Sequence, residues 1–141
     1  MVIRPLTADE RSAAVDLWHR TGLTRPWNPP EEDFDRATAG DGSTVLGGFV
    51  QGTLVATAMV GHDGHRGWVY YLAVDPDHRS AGQGRALMDA AEAWVRASGI
   101  PKLQLMVRTG NTGALGFYRS LGYAVEETAV LSRWLGPQGP G

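Results

Sequence analysis

The stretch from His78 to Leu87 limits the architectures open to this chain more than any other. An apolar run, Trp68-Val69-Tyr70-Tyr71-Leu72-Ala73-Val74, leads into His78-Arg79-Ser80-Ala81-Gly82-Gln83-Gly84-Arg85-Ala86-Leu87, which opens a long amphipathic segment. Strand, glycine turn and helix start therefore follow one another directly. The first N–H groups of a helix have no intrahelical partner, and the peptide dipoles sum to a partial positive charge there. Gly82 and Gly84 lack a Cβ, so an anion can approach the bare backbone, and Arg79 adds a full positive charge. The stretch reads as a phosphate cradle. It is not a P-loop, because Gly84 is followed by Arg85-Ala86 rather than Lys-Ser/Thr. It is not the dinucleotide fingerprint, which needs a small residue where Leu87 stands. An ordinary glycine turn into a helix is the plain alternative.

Composition narrows the setting. A chain of 141 residues is expected to form one domain with a real core, here residues 1–135, followed by a flexible tail over 136–141. The absence of cysteine excludes disulfides, thiolate metal sites and a thiol nucleophile. A net charge of −2 argues against nucleic acid or an anionic membrane as the main partner. The sequence has no apolar run of spanning length and no signal-peptide pattern at Met1-Val2-Ile3-Arg4-Pro5, so a cytoplasmic protein is expected.

Taken in order, Val2–Pro5 reads as a first strand, and Thr7-Ala8-Asp9-Glu10 has capping-box spacing before a helix over residues 8–21 that stops at Gly22. Arg25-Pro26-Trp27-Asn28 lies in a proline-rich loop. Trp27 either caps the core or, with Arg25 and Asn28, forms an acceptor-binding wall. The acids Glu31, Glu32, Asp33 and Asp35 begin a second helix ending near Ala39. Residues 44–50 and 54–60 form a hairpin turning at Gln51-Gly52. The loop Gly61-His62-Asp63-Gly64-His65-Arg66-Gly67 lacks a fourth ligand for a metal, and Asp63 and His65 read better as active-site polar groups. After the cradle come a helix ending at Gly99, a strand over 102–107 and a short helix capped by Asn111 and ended by Gly122. Residues 123–125 and 130–135 complete the expected order as a final hairpin.

Two motifs in this order resemble the GNAT superfamily of N-acetyltransferases. Arg79, Gly82 and Gly84 fit Arg/Gln-x-x-Gly-x-Gly/Ala, and Asn111, Ala114, Phe117-Tyr118 and Leu121-Gly122-Tyr123 fit that family's second motif. The tyrosine falls one residue early relative to some members. Within the superfamily, Arg25-Pro26-Trp27-Asn28, Tyr70-Tyr71-Leu72 and Asp63-Gly64-His65-Arg66-Gly67 are similar to the small bacterial YpeA-type acetyltransferases. The resemblance implies an α/β (α+β) single-domain fold with a mixed, mostly antiparallel sheet splayed between its fourth and fifth strands and about four flanking helices. It implies acetyl-CoA as cosubstrate, no metal, and a small-molecule or protein amine as acceptor, with the enzyme a monomer or homodimer.

Residue roles follow from the same resemblance. Arg79, Ser80, Ala81, Gly82, Gln83, Gly84 and Arg85 would hold the pyrophosphate. Leu72, Ala73 and Val74 would pair with the pantetheine arm, a backbone N–H near Leu72 or Val74 polarising the thioester carbonyl. Asn111 would hold the arm or the start of the last helix. Tyr118 would protonate the departing thiolate, its alternative being a core aromatic. Relatives carry a glutamate base at the position of Trp68 or of Met106, and this chain has neither. Tyr70, His65, Asp63 or a relayed water are the remaining candidates, with Trp68 lining the acceptor side. The missing base keeps a second reading open, a non-catalytic acyl-CoA sensor.

Overall fold

A computed structural model describes residues 1–79 and 81–137. Two compact units divide it, residues 1–105 and 106–141.

The first unit is a five-stranded sheet with order β1-β2-β3-β4-β5. β1 (Val2–Pro5), β2 (Ser43–Val50), β3 (Thr53–His62) and β4 (Gly67–Val74) pair antiparallel in succession, and β5 (Leu103–Leu105) is parallel to β4. The expected mixed sheet is present. Gln51 and Gly52 both have positive φ, 49° and 78°, which is what a two-residue hairpin turn between β2 and β3 requires.

Helices cover both faces. α1 (Arg11–Arg20) follows a short 3-10 turn at Ala8–Glu10, so the expected helix over 8–21 is a tight entry turn and then an α-helix. Glu10 accepts from the Thr7 N–H at 2.9 Å and holds Arg4 through two 2.8 Å bonds, tying β1 to the helix entry. α2 (Pro30–Ala39) starts with Pro30 in its first turn, where a missing N–H costs nothing. Leu17, Trp18 and Phe34 are fully buried with Val45, Leu54 and Ala73 in one cluster. Each such side chain contributes roughly 1.5–3 kcal/mol by leaving water. α3 (Gln83–Ala97) lies on the opposite face. Neighbouring positions on β2 show this directly: a Cβ on Gly48 would meet Leu87 of α3, while one on Gly47 would meet Leu6 and Leu54.

β4 and β5 pair only through Gly67, Trp68 and Val69. Beyond Val69 the outer edge of β4 has no strand beside it among the described residues, which is the expected splay. β5 is shorter than the strand read over 102–107.

The second unit contains α4 (Thr112–Ser120), capped by Asn111, whose Oδ1 accepts from the Ala114 N–H at 3.1 Å. Gly122, with φ 96°, lies just past its end. The final hairpin expected over 123–125 and 130–135 is not formed: no strand occurs there among the described residues. Val125, Val130, Leu131 and Leu135 are exposed, so the alternating apolar side chains of this segment are not buried as strand pairing would require. The expected flexible tail lies largely outside the described residues, which end at Pro137.

Candidate active site

The middle of β4 is distorted, and the distortion is heavily braced. Met59 pairs with Tyr70 and Thr57 with Ala73, so Tyr71 and Leu72 together oppose Ala58. This is a β-bulge, and Tyr71 sits in the left-handed region with φ 51°. For a bulky aromatic such a backbone costs on the order of 1–3 kcal/mol and persists only where its surroundings hold it. The bulge also switches faces. A Cβ on Gly67 would meet Val95 of α3, whereas Tyr71 and Ala73 pack with α1 and α2.

Three contacts hold Tyr71. Its ring stacks on Trp18 with centroids 3.9 Å apart and planes 16° from parallel. Its hydroxyl donates to Asp33 Oδ2 at 2.7 Å, and Arg36 donates to the other oxygen of that carboxylate. Its carbonyl accepts from Thr57 Oγ1 at 2.9 Å, and Thr57 Oγ1 accepts from Trp18 Nε1 at 2.9 Å. Burial, reinforced by the bond to Asp33, pushes the Tyr71 phenol well above its ordinary pKa, so it stays neutral. Sequence reasoning missed Trp18, Asp33, Thr57 and Tyr71 as site residues. A threonine and a tryptophan at core positions of β3 and α1 were the available signals.

β4 ends at Val74 and the chain turns through Asp75, Pro76, Asp77 and His78 into the cradle. The Asp75 side chain caps this turn by accepting from the Asp77 N–H at 2.9 Å and also binds Arg20 at 2.8 Å. Arg79 reaches back, its Nε donating to the Val74 carbonyl at 3.3 Å. Gly82 has φ 83°, and nothing lies within 4 Å of where a Cβ would stand. Its carbonyl takes the first intrahelical bond, from Ala86 N–H at 3.0 Å. The N–H groups of Gln83, Gly84 and Arg85 therefore head the helix without intrahelical partners. His78 Nδ1 and Gln83 Oε1 are buried at this turn with no hydrogen-bond partner among the described residues. Open amides, a Cβ-free approach and a nearby guanidinium fit a phosphate-bearing cosubstrate. Ser80, also assigned to the cradle, lies outside the described residues.

Other expected site residues are placed differently. Tyr70 is exposed on β4 beside the bulge, and partial burial raises its phenol pKa. Trp68 lies two residues earlier, on the same side of the strand. Asp63 and His65 occupy the loop at the other end of β4, roughly 25 Å from Val74 at about 3.3 Å per residue. The Asp63 carboxylate accepts from the N–H groups of His65 and Arg66 at 2.9 and 2.8 Å, which holds it below the usual carboxylate range. It organises its own loop, and the structure does not bring His65 to the bulge. The Arg25 guanidinium donates to the carbonyls of Gly22 and Thr24, at 3.0 and 2.8 Å. Asn28 N–H closes the turn onto the Arg25 carbonyl at 3.0 Å, and Trp27 between them is half-buried. Arg25 and Asn28 thus shape the loop that presents Trp27.

In the second unit Asn111 serves as the α4 cap. Tyr118 meets Phe117 and Tyr123 edge to face, at 5.1 and 5.9 Å between centroids, and burial raises its phenol pKa.

A bulged strand, splayed at one edge, thus leads through a short turn to a glycine at the N-terminus of a helix. The chain belongs to the acetyltransferase (GNAT) family, whose model matches residues 11–123. It is 41% identical over 135 residues to an acetyltransferase of Yersinia pestis, covering 96% of each chain. Among solved structures it resembles AAC(6')-Iy in complex with the bisubstrate analog CoA-S-monomethyl-acetylneamine, with TM-score 0.81 and 16% identity over 94% of this chain and 97% of that one. It also resembles the ribosomal-protein-S18-alanine N-acetyltransferase of Escherichia coli, with TM-score 0.74 and 28% identity over 86% and 76%. The protein is an acetyltransferase of this family.

Proposed function

We propose that the protein uses acetyl-CoA to acetylate a primary amine of a small molecule or a protein by direct transfer. The observation that carries this reading is the bulged, unpaired half of β4 leading into the open N-terminus of α3. In this reading the pyrophosphate rests on the N–H groups from Ala81 to Arg85 with Arg79 beside it, and the pantetheine arm pairs with β4 along Leu72, Ala73 and Val74. The Leu72 N–H polarises the thioester carbonyl and holds the oxyanion as the amine nitrogen attacks. Collapse breaks the carbon–sulfur bond. Tyr118 gives its proton to the departing thiolate, and the amine's proton leaves through water.

The acceptor approaches past Tyr70, Trp68 and the Trp27 turn. A phenol with a raised pKa is a poor base at neutral pH, so Tyr70 acts as a neutral hydrogen-bonding group. An amine already neutral in solution is the better acceptor here. Without a dedicated base, an α-amino or deactivated amine (pKa ~8) outcompetes a lysine (~10.4). The named neighbours include enzymes for aminoglycoside amines and for a ribosomal-protein alanine, and both amine classes belong in a first screen.

Calorimetric titration of acetyl-CoA into wild type and Gly82→Trp tests the reading. Micromolar-class binding (about −8 kcal/mol) is expected in wild type and not in the variant, whose indole fills the cradle. Failure of the wild type to bind would overturn the proposal. Binding without CoA release across the amine panel would favour an acyl-CoA sensor.

A further inference from the structure

We infer that Thr57 is a positioning residue for acyl transfer, orienting the Leu72 N–H by gripping the Tyr71 carbonyl from the core. The inference rests on the proposed use of that N–H at the thioester. Thr57 is fully buried, and among the described residues it is the buried polar one in a core otherwise apolar. Its hydroxyl sits between two partners, Trp18 Nε1 and the Tyr71 carbonyl, each at 2.9 Å. An indole N–H can only donate, so the single hydroxyl hydrogen is directed at Tyr71. The direction of this relay is therefore fixed by chemistry: indole to hydroxyl to carbonyl.

The carbonyl it holds belongs to the same peptide unit as the Leu72 N–H. In a trans peptide these two groups point in opposite directions. The Thr57 hydroxyl lies on the core side with the Trp18 indole, so a carbonyl turned to it sends the Leu72 N–H away from that core, on the stretch of β4 beyond its last residue paired with β5. The strained φ of Tyr71 gives the peptide this orientation, and the Trp18 stack and the Asp33 bond anchor the side chain beyond it. A hydroxyl at this place does more than satisfy the indole. Without it the carbonyl has no partner on the core side, and relaxation of Tyr71 to an ordinary β conformation would swing the donor off its target.

Thr57→Val keeps the shape and removes the hydroxyl, and Thr57→Ser restores it. Acetyl-CoA affinity, measured on the same proteins, separates loss of positioning from loss of fold. Acetyl-CoA labelled with ¹³C at the carbonyl, bound without acceptor, reports polarisation through its infrared stretch. NMR couplings report the φ of Tyr71. In Thr57→Val we expect acetyl-CoA affinity within about threefold of wild type, kcat lower by about 10- to 100-fold, the carbonyl stretch moved back toward its free value and Tyr71 shifted from positive φ. Thr57→Ser should stay near wild type in kcat and stretch. A Thr57→Val protein with wild-type kcat and stretch overturns the inference, as does one in which Tyr71 keeps its positive φ. A wild type that does not bind acetyl-CoA removes the proposed function, and with it any catalytic meaning for Thr57. A wild type that turns over while Thr57→Val does not change removes this inference alone.

Discussion

Tyr71 and Tyr118 carry the same side chain into different work. The Tyr71 hydroxyl is committed to Asp33, and its ring is clamped on Trp18, so it braces the backbone. Tyr118 is held by its ring edges against Phe117 and Tyr123, contacts that a phenylalanine would keep. Tyr118→Phe should therefore fold normally and bind acetyl-CoA as wild type does. With the proposed proton donor gone, steady-state assay should show kcat reduced by roughly 10²-fold or more. Because burial raises the Tyr118 pKa, the proton is retained as pH rises toward 10, and wild-type kcat should show no alkaline fall below that value. Unchanged kcat in the variant would return Tyr118 to the role of a core aromatic. Gly82 and Asn111 were legible in the sequence because a glycine before a helix and an asparagine at its start act locally. The Thr57 relay was not. Its bonds join positions 39 and 14 residues apart, and the Tyr71–Asp33 bond spans 38, so only the folded sheet brings them together.

Among the elements, β4 is the one the proposed chemistry rests on, because it changes partner and face along its length. Its apolar run marks a strand in the sequence, but a bulge at an aromatic leaves no glycine to announce it. Residues 130–135 alternate as a strand does, yet no strand occurs there among the described residues, and Val130, Leu131 and Leu135 are exposed. Local pattern reports what a segment can pair with, not whether a partner is present. At the root of the splay, Gly67 is pressed between α3 and β5: a Cβ there would lie 2.7 Å from Val95 Cγ1, 2.8 Å from its Cγ2 and 3.2 Å from Leu103 Cδ1. Val95 is a short branched side chain in a buried helix face and cannot swing aside. Gly67→Ala should destabilise the protein by about 1–3 kcal/mol, read as a lower urea midpoint at unchanged slope. A midpoint equal to wild type would show that α3 and β5 yield at this seam.

Across the molecule, two ion pairs between elements make stability depend on acid in a definite direction. Arg4–Glu10 ties β1 to the entry of α1, and Arg20–Asp75 ties the end of α1 to the turn after β4. Glu10 is lowered from 4.5 to about 2, chiefly by its hydrogen bonds to Arg4, and Asp75 is lowered chiefly by Arg20. A carboxyl whose folded pKa is depressed stabilises the folded state fully above its unfolded value. That stability fades as pH falls through the interval between the two values, because the unfolded chain takes up protons first. For Glu10 the interval runs from 4.5 down to about 2. Solvent screens both pairs, so the loss is smaller than the pKa difference alone would give. Glu10→Gln with Asp75→Asn should lower Tm at pH 7 by on the order of a few degrees. The decisive readout is the slope: from pH 5 to pH 2.5 the double variant should lose less Tm than wild type, so that the two curves converge in acid. Parallel curves would mean that these carboxylates have the same proton affinity folded and unfolded, and that acid sensitivity arises elsewhere in the chain.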